Sequence, residues 1–448
     1  FLKKKINYSM SANANTNVGS SSNDTSKELT EEECLADVVD QDEVQKRMEQ
    51  QLGTSYTDKL DQPHKFWDEQ PVLKLGEVVK ATDNEPIDDP KTVDDIAAEP
   101  YPLKALFEWF EPDVSNKEDI DQLYKLLHDN YVEDDDSMFR FDYTREFLRW
   151  ALTPPGFRKD WHCAVRVKRS GTMVGFISAI PATVRIYGKV KHIVEINFLC
   201  VHKKLRTKRL APLLIKEITR RVNRQDIWQA VYTAGIVLPN PVVSCRYYHR
   251  SLNPKKLVDV RFSQLRPNMK MSMLQRLLKL PAKPLTPGVR PMVEKDVPAA
   301  CALLADYLKK YHVAAQFNET DFQHWFLPRQ GVIYTFVVEN PKTSKITDLI
   351  SFYQLPSSIL NHPRHHTLNA AYSFYNVSTS TPMEKLLKDA LILAKSRRFD
   401  VFNALDMFEN EANFKELKFL PGDGHLQYYI YNWRCPQTTP QNMGLVML

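Results

Sequence analysis

The chain has 448 residues, 43% of them hydrophobic, and carries a formal net charge of +5. This length exceeds one ordinary domain and predicts two hydrophobic cores or a fused pair, whereas so small a net charge argues against a general nucleic-acid binder. No stretch approaches the ~18 apolar residues of a membrane span. No apolar segment follows the lysines at 3–5, which argues against a signal peptide.

The N-terminal region differs in composition from the rest. Residues 9–27 are rich in Ser, Asn and Thr and predict disorder. Residues 30–33 fit a capping box that opens a short acidic helix. We expect ordered structure to begin near His64 and assign residues 1–63 to a low-complexity tail, which is a candidate ribosome contact.

The remaining chain predicts the same order of elements twice: a helix, a hairpin, a strand and a second helix. The fold class is therefore mixed α/β, with halves at residues 64–290 and 291–448. The repeated elements are a helix opening at Asp119 and Asp296, hairpin strands at 163–167 with 174–178 and at 334–338 with 348–351, and a strand at 196–201 and 372–377.

A basic turn separates the strand and the last helix of the first half. Residues 194–201 predict a buried strand, and the helix after the turn places Leu210, Leu213, Leu214 and Ile218 on one face. A basic turn at a helix N-terminus is an anion site, although a solvated surface turn also fits. Residues 378–382 carry no basic cluster, so only the first half is expected to hold a phosphate ligand.

The six cysteines are scattered and form no CxxC pair, which predicts reduced and mostly buried thiols of an intracellular, cytoplasmic protein. They are Cys34, Cys163, Cys200, Cys245, Cys301 and Cys435.

Two resemblances extend the interpretation of the basic turn. Residues 206–211 resemble the pyrophosphate loop of GNAT acyltransferases, Arg/Gln-x-x-Gly-x-Gly/Ala, with matches at Arg206 and Ala211 and with Arg209 where glycine is usual. Residues 195–203 resemble the signature of eukaryotic N-myristoyltransferases, in which arginine or lysine is usual at the position of Arg209. Further blocks similar to this family lie at 65–72, 130–136, 139–143, 231–235, 246–254 and 422–424, so the resemblance runs from His64 to Leu448.

The resemblance implies two GNAT-like halves, related by a pseudo-twofold repeat, in one compact catalytic unit. It implies transfer of myristate from myristoyl-CoA, a co-substrate, to the N-terminal glycine amine of a peptide, by a monomer without a permanent cofactor or metal. Phe66 and Trp67 also fit a core anchor, and Cys200 fits a buried structural thiol better than a nucleophile. The positions matched to acyl-CoA are Lys65, Phe66, Trp67, Phe198, Leu199, Cys200, Val201, Arg206, Thr207, Lys208, Arg209, Leu210 and Ala211.

For catalysis, the resemblance assigns the oxyanion to the backbone N–H groups of Phe198 and Leu199. A bulged or splayed strand would free these groups, whereas a plain core pair is the alternative. The resemblance assigns the base to the main-chain carboxylate of Leu448, and the apolar residues 444–448 can be buried. Asn197 and Thr233 match positions that hold the incoming amine.

For the peptide, acidic residues suit cationic side chains downstream of the glycine, although an aspartate run is also typical of a solvated turn. Pro421 departs from the family pattern and bears on loop geometry near the peptide. Residues 362–366 are interpreted as a polar loop and not a metal site. The matched positions are Tyr131, Asp134, Asp135, Asp136, Phe139, Phe141, Tyr143, Tyr247, His249, Ser357 and Asp423.

Two alternatives remain open from the sequence. The first is a catalytically inactive acyl-CoA- or peptide-binding protein of the same fold, for which the apolar end at Leu448 has no evident use. The second is a GNAT amine acetyltransferase, against which stand Arg209 in place of glycine and a second half without a CoA loop.

Overall fold

The computed structural model describes residues 66–74, 76–133 and 138–448. The tail at 1–63, its acidic helix, Lys65 and the run Asp134–Asp136 were singled out by the sequence and lie outside these ranges. Within the described ranges, no helix is long and apolar enough to cross a membrane.

The described residues form seventeen strands and nine α-helices. The strands are β1 (Phe107–Phe110), β2 (Phe139–Phe141), β3 (His162–Val167), β4 (Met173–Ile186), β5 (Lys189–Val201), β6 (Ala230–Ala234), β7 (Val243–Ser251), β8 (Val289–Pro291), β9 (Val313–Ala315), β10 (Ile333–Glu339), β11 (Ile346–Gln354), β12 (Ser357–Ile359), β13 (Thr367–Leu368), β14 (Ala370–Ser373), β15 (Val401–Leu405), β16 (Leu420–Tyr431) and β17 (Met443–Gly444). The helices are α1 (Lys117–Asn130), α2 (Arg145–Leu152), α3 (Leu210–Asn223), α4 (Pro254–Asp259), α5 (Met271–Leu277), α6 (Val297–Leu308), α7 (Glu319–Phe326), α8 (Met383–Ser396) and α9 (Asn410–Phe414).

One large mixed sheet carries the fold, in the order β1-β3-β4-β5-β6-β16-β7-β15-β14-β11-β10-β8. The two ends of this order are equivalent. Counted from one end, β3, β4, β5 and β6 hold the positions that β10, β11, β14 and β15 hold from the other end, and β7 and β16 correspond at the centre. Corresponding neighbours also run in the same relative direction, since β5 and β6 are parallel and β14 and β15 are parallel. The sheet therefore confirms the repeat expected from the sequence.

The two halves exchange their last strands. β16 belongs to the second half in sequence but pairs with β6 and β7, while β7 also pairs with β15. Strands from both halves are thus hydrogen-bonded neighbours at the centre of one sheet.

Each half has its own helix against the sheet. In α3, Leu210, Leu214 and Ile218 are buried, as the sequence predicts, and Leu213 is half-buried. Helix and sheet approach closely at Gly175, where an added Cβ would lie 3.1 Å from Leu210 and 3.2 Å from Leu214. The start of α3 is thereby fixed against β4.

The predicted strand at 372–377 is wrong beyond Ser373, where β14 ends. The Ser351 hydroxyl accepts the Tyr375 N–H at 2.9 Å and donates to the Tyr375 carbonyl at 2.6 Å. The Ser351 side chain thus replaces the backbone partner at Tyr375, and backbone pairing returns as a single bridge between Leu349 and Val377.

Candidate active site

A cavity of about 1480 Å³ opens where β5 and β6 separate. The two strands pair only from Val194–Ala230 to Ile196–Tyr232, although both continue beyond that point. Residues of both strands past this point line the cavity, among them Asn197 and Thr233. A space of this size exceeds an ordinary ligand pocket and can hold two substrates.

β5 is bulged at the mouth of this opening. Phe176 pairs with Cys200 and Ser178 with Asn197, so Phe198 and Leu199 both stand opposite Ile177. Phe198 has a φ of 58°, a left-handed conformation that is uncommon for a bulky residue. A bulge interrupts the pairing of a strand with its neighbour, and here it takes Phe198 and Leu199 out of register with β4.

The bulge also reverses the side on which the strand presents its side chains. Ile196 packs with the α3 side of the sheet, whereas Phe198, two residues later, is buried with the opposite core. There the Phe198 ring meets Tyr143 edge to face, with centroids 5.2 Å apart. The Tyr131 hydroxyl accepts a hydrogen bond from the Phe198 backbone, and burial raises the pKa of Tyr131, so this phenol stays neutral.

The side chains of Asn197 and Thr233 are half-buried on the cavity wall. The Asn197 carbonyl accepts from the Ser178 hydroxyl at 2.9 Å, which fixes the backbone here. The two strands therefore present a side-chain amide and a hydroxyl to the same space.

The last residues of the chain are held tightly beside the cavity. β17 pairs in parallel with β9, and Gly444 approaches Tyr311 so closely that an added Cβ would lie 2.9 Å from it. The Tyr375 hydroxyl accepts the Val446 N–H at 2.9 Å, and the Tyr428 hydroxyl accepts from the Met447 backbone. Met447 and Leu448 line the cavity, so burial of this apolar segment is confirmed.

The basic turn forms a 3-10 helix at Lys203–Lys208, and α3 begins after it. Arg209 adopts a left-handed conformation with φ 56°, which glycine adopts more easily. Arg206 donates to the Asn130 carbonyl, and Lys203 pairs with Glu133. Lys204, Lys208 and Arg209 are exposed and make no ion pair within the described residues.

An apolar arm of the cavity runs along α3. The lining positions repeat at helical spacing and cover twelve residue steps, about 18 Å at 1.5 Å per residue. Opposite them lie Val194 and Ile196 of β5, and Trp228 and Ala230 close the far end. The lining residues of α3 are Ala211, Pro212, Ile215, Ile218, Thr219, Val222 and Asn223.

Aromatic rings form the wall on the β6 side. Trp67 stacks on Tyr232 with centroids 5.6 Å apart, and Tyr232 stacks on Tyr429 at 5.1 Å. The Lys74 ammonium fixes this turn by donating a hydrogen bond to the Trp67 carbonyl at 3.0 Å. Phe66 and Trp67 thus line the cavity and anchor their segment at once.

The other end of the cavity is polar and crowded. His249 Nδ1 lies 2.7 Å from Asn403 Oδ1, and an added Cβ on Gly422 would lie only 2.2 Å from His249 Nε2. Burial lowers the pKa of His249, so its ring is neutral near pH 7. Residues between Pro421 and His425 leave the register of β16, which places Asp423 on an exposed turn at the cavity.

Cys200 could be mistaken for a nucleophile and His365 for a metal ligand, but both have a structural explanation. Burial raises the pKa of the Cys200 thiol to about 12, which confirms a structural thiol. Of the polar loop at 362–366, His365 Nε2 lies 3.1 Å from Asp259 Oδ2. Across the described residues, no three His, Cys, Asp or Glu side chains converge to hold a metal.

The cavity brings together most of the residues singled out by the sequence. Thr207, Lys208, Arg209 and Leu210 are not among its lining residues, and Leu210 is buried against β4. The predicted residues that line the cavity are Phe66, Trp67, Tyr131, Phe139, Phe141, Tyr143, Asn197, Phe198, Leu199, Cys200, Val201, Arg206, Ala211, Thr233, Tyr247, His249, Ser357, Asp423 and Leu448. Sequence reasoning missed the α3 arm, Phe262, Tyr372, Asn403 and His425.

Comparisons with known proteins agree with this geometry. The family models described as myristoyl-CoA:protein N-myristoyltransferase, N-terminal and C-terminal domain, match residues 86–245 and 259–446. A Drosophila melanogaster glycylpeptide N-tetradecanoyltransferase is 56% identical over 383 residues, which cover 86% of this chain and 80% of the relative. An Arabidopsis thaliana glycylpeptide N-tetradecanoyltransferase 1 is 52% identical over 387 residues, covering 86% and 89%.

A solved structure is similar as well. The crystal structure of Saccharomyces cerevisiae N-myristoyltransferase with bound myristoyl-CoA matches with a TM-score of 0.83 and 44% identity, over 86% of this chain and all of that one. The relatives are named for acyl transfer, which favours a transferase over the inactive binding protein and the acetyltransferase. The chain therefore belongs to the myristoyl-CoA:protein N-myristoyltransferase family.

Proposed function

We propose that the cavity binds myristoyl-CoA and a peptide with an N-terminal glycine together, and that residues around the β5 bulge carry acyl transfer between them. The observation that carries the proposal is the bulge at Phe198–Leu199, at the point where β5 and β6 separate. It lies between an apolar arm and a polar groove that both belong to one cavity.

The acyl-CoA occupies the first-half side of the cavity. The arm along α3 is about 18 Å long, a length that suits an extended fourteen-carbon chain, and its apolar lining favours such a chain over water. The CoA phosphates bind near the start of α3, where Arg206 lines the cavity and Lys204, Lys208 and Arg209 add positive charge. Trp67 lies along the remaining wall.

The peptide amine attacks the thioester carbonyl. The N–C bond forms as the C–S bond breaks, and the CoA thiol leaves with a proton. We assign stabilisation of the oxyanion on the carbonyl oxygen to the backbone N–H groups of Phe198 and Leu199, and the Phe198 N–H would exchange the Tyr131 hydroxyl for this oxygen. Asn197 and Thr233 hold the amine from the two separating strands.

The amine must lose a proton before it attacks, because an α-amino group has a pKa of ~8 and is mostly charged at neutral pH. We assign this proton to the main-chain carboxylate of Leu448. The assignment is supported by the lining position of Leu448 and by the two tyrosine hydroxyls that hold the preceding N–H groups. A weak base is effective when it is fixed within reach of the proton.

We assign binding of acyl-CoA to residues 64–290, and binding of the peptide together with the catalytic base to residues 291–448. Peptide contacts nevertheless come from both, since Tyr247 and His249 line the groove with Ser357 and Asp423. Asp423, together with Asp134–Asp136, favours lysine or arginine downstream of the glycine. We further propose a cytoplasmic monomer that modifies proteins as they are made, with the N-terminal tail as a ribosome contact; the five described cysteines, all buried and free, suit a reducing compartment.

The test is an assay with radiolabelled myristoyl-CoA and four peptides, which start with Gly or Ala and carry Lys or Glu downstream. We expect label only on the glycine peptides, because a methyl on the first α-carbon has no room between Asn197, Thr233 and the bulge. Among these, lysine should be preferred at low salt. Equal rates for Ala and Gly would contradict the steric assignment, and indifference to Lys or Glu would contradict the electrostatic one.

A further inference from the structure

Residues 260–293 form an unusual stretch of surface. They contain seven lysines and arginines and no aspartate or glutamate. Arg290 pairs with Asp296 and Glu339. The other six make no ion pair within the described residues, and we call residues 261–283, which contain them, the basic segment. These six are Arg261, Arg266, Lys270, Arg276, Lys279 and Lys283.

The helix α5 in this segment has two different faces. Met271, Leu274 and Leu278 are half-buried against the protein, and Arg250 Nη2 donates to the Leu278 carbonyl at 3.2 Å. Met273 and Leu277 point outward and are 46% and 52% exposed. The helix is therefore fixed to the body while apolar side chains and Arg276 face solvent.

Positive charges also lie close together beneath the segment. The pKa of Lys395 is lowered by burial and then by the charges of Arg250 and Lys279. A separate cleft of about 550 Å³ next to the start of α5 is lined by Lys255 and Met271 but also by Asp259, whose carboxylate pairs with Arg364. The charges of Arg250, Lys279 and Lys395 thus repel one another beneath the segment, and an anion bound there would reduce this repulsion.

We propose that the basic segment docks the protein on the surface of an anionic lipid bilayer. Cations around an outward apolar strip are the combination that binds the interface of such a membrane, since the strip enters the headgroup layer and the cations meet lipid phosphates. A nucleic acid would use the cations but would gain nothing from exposed Met273 and Leu277. Phe262, in the same segment, lines the active-site cavity, so docking would bring the mouth of the peptide groove toward lipid.

The test measures partition of the full chain onto vesicles of phosphatidylcholine, with and without about a quarter phosphatidylserine. We expect binding only to the anionic vesicles. The double variant Arg276→Glu/Lys279→Glu should lower the partition coefficient at least 25-fold, because each cation near such a surface contributes roughly fivefold. Met273→Ser/Leu277→Ser should lower it several-fold.

Matched controls are Lys342→Glu/Lys345→Glu, in the exposed β10–β11 loop, and Val78→Ser/Leu106→Ser, which are exposed elsewhere. Both should bind vesicles within twofold of the parent. Equal losses in the control and segment variants would overturn the proposal, as would absence of binding by the parent. Binding of the parent and the segment variants to an RNA oligonucleotide is measured alongside. If the segment variants lose RNA binding but bind vesicles as the parent does, the segment is a nucleic-acid site instead.

Peptide acylation without vesicles should stay within twofold in every variant. The inference goes beyond the proposed reaction, so an inactive parent that still binds vesicles would contradict the reaction and leave the docking surface standing.

Discussion

A turn connects a strand to a helix at the matching place in both halves, but only the turn of the second half is capped by a buried carboxylate. In the second half the Asp348 carboxylate accepts the N–H groups of Thr379, Ser380 and Thr381 at 2.8–3.0 Å, just before α8. Pairing of Gly175 with Val201 and of Leu349 with Val377 places Val174 at the matching position of the first half. The N–H groups of the second-half turn thus bind an anion of their own chain. In the first half, Val174 supplies no carboxylate, and the matching N–H groups of Lys203 and Lys204 donate to the uncharged acceptors Asn130 Oδ1 and His202 Nδ1.

The largest expected effect separates acyl binding in the first half from chemistry in the second. Adding two residues after Leu448 should lower turnover at least ~100-fold, because it removes the carboxylate from the base position. Binding of myristoyl-CoA should stay nearly unchanged, as measured by calorimetry. Two residues inserted after Lys342, in an exposed loop, are the control. Full turnover in the extended protein would exclude the terminal carboxylate as base.

Replacing the internal anion should mainly affect stability. Asp348 is fully buried and also accepts from the hydroxyls of Thr347 and Thr381. Asp348→Asn should lower the free energy of unfolding by about 4 kcal/mol, because several charge-assisted hydrogen bonds are lost. Urea denaturation measures this, with the exposed Asp94→Asn as control. A change under 1 kcal/mol would show that the carboxylate does not stabilise this turn.

A carboxylate placed at the matching position of the first half should weaken binding of myristoyl-CoA. Val174→Asp should weaken myristoyl-CoA binding about 100-fold, since a buried negative charge beside the basic turn repels the CoA phosphates. Val174→Asn has nearly the same shape without the charge and should lose only a few-fold. Equal losses in the two variants would mean that packing, and not charge, sets the difference between the turns.

Glu195, a half-buried carboxylate to which no described residue donates a hydrogen bond, is the opposite case to Asp348. Glu195 in β5 makes no hydrogen bond or ion pair within the described residues, and burial raises its pKa to about 7. Because the folded protein holds this proton more tightly than the unfolded chain, stability falls as the pH rises from about 4.5 to 7. Glu195→Gln should therefore stabilise the protein by about 2 kcal/mol at pH 8.

The gain should vanish near pH 4, where the native side chain is protonated in both states. Denaturation curves at the two pH values, with Glu99→Gln as an exposed control, measure the difference. A gain that is the same at both values would rule out titration of Glu195 as its source.

The sequence predicted local structure better than it predicted pairing. The strand at 194–201, the basic turn and the start of α3 follow from apolar runs and spacing, and so does the repeat. The insertion of β16 between β6 and β7 does not, because a strand's periodicity carries no information about its distant partner. The conformation of Phe198 was likewise hidden, since a bulged pair and a plain core pair have the same composition.

The spacing of residues in α3 indicates an apolar stripe but does not distinguish the apolar arm of the cavity from a stripe buried in the core. Ala211, Ile215, Ile218 and Val222 have helical spacing, which also describes a stripe packed on a core. In α3 both stripes exist side by side, since Leu210 and Leu214 contact the sheet while Ile215 lines the cavity. Only the separation of β5 from β6 tells them apart.

The strand exchange has a consequence for synthesis. β6 is complete by Ala234, yet its neighbour in the sheet is β16, which the ribosome delivers almost two hundred residues later. Until then the edge of β6 is unpaired, and pairing over so long a loop is slow. The first half alone therefore exposes an edge that can aggregate, and the active cavity is assembled only when the last part of the chain has emerged.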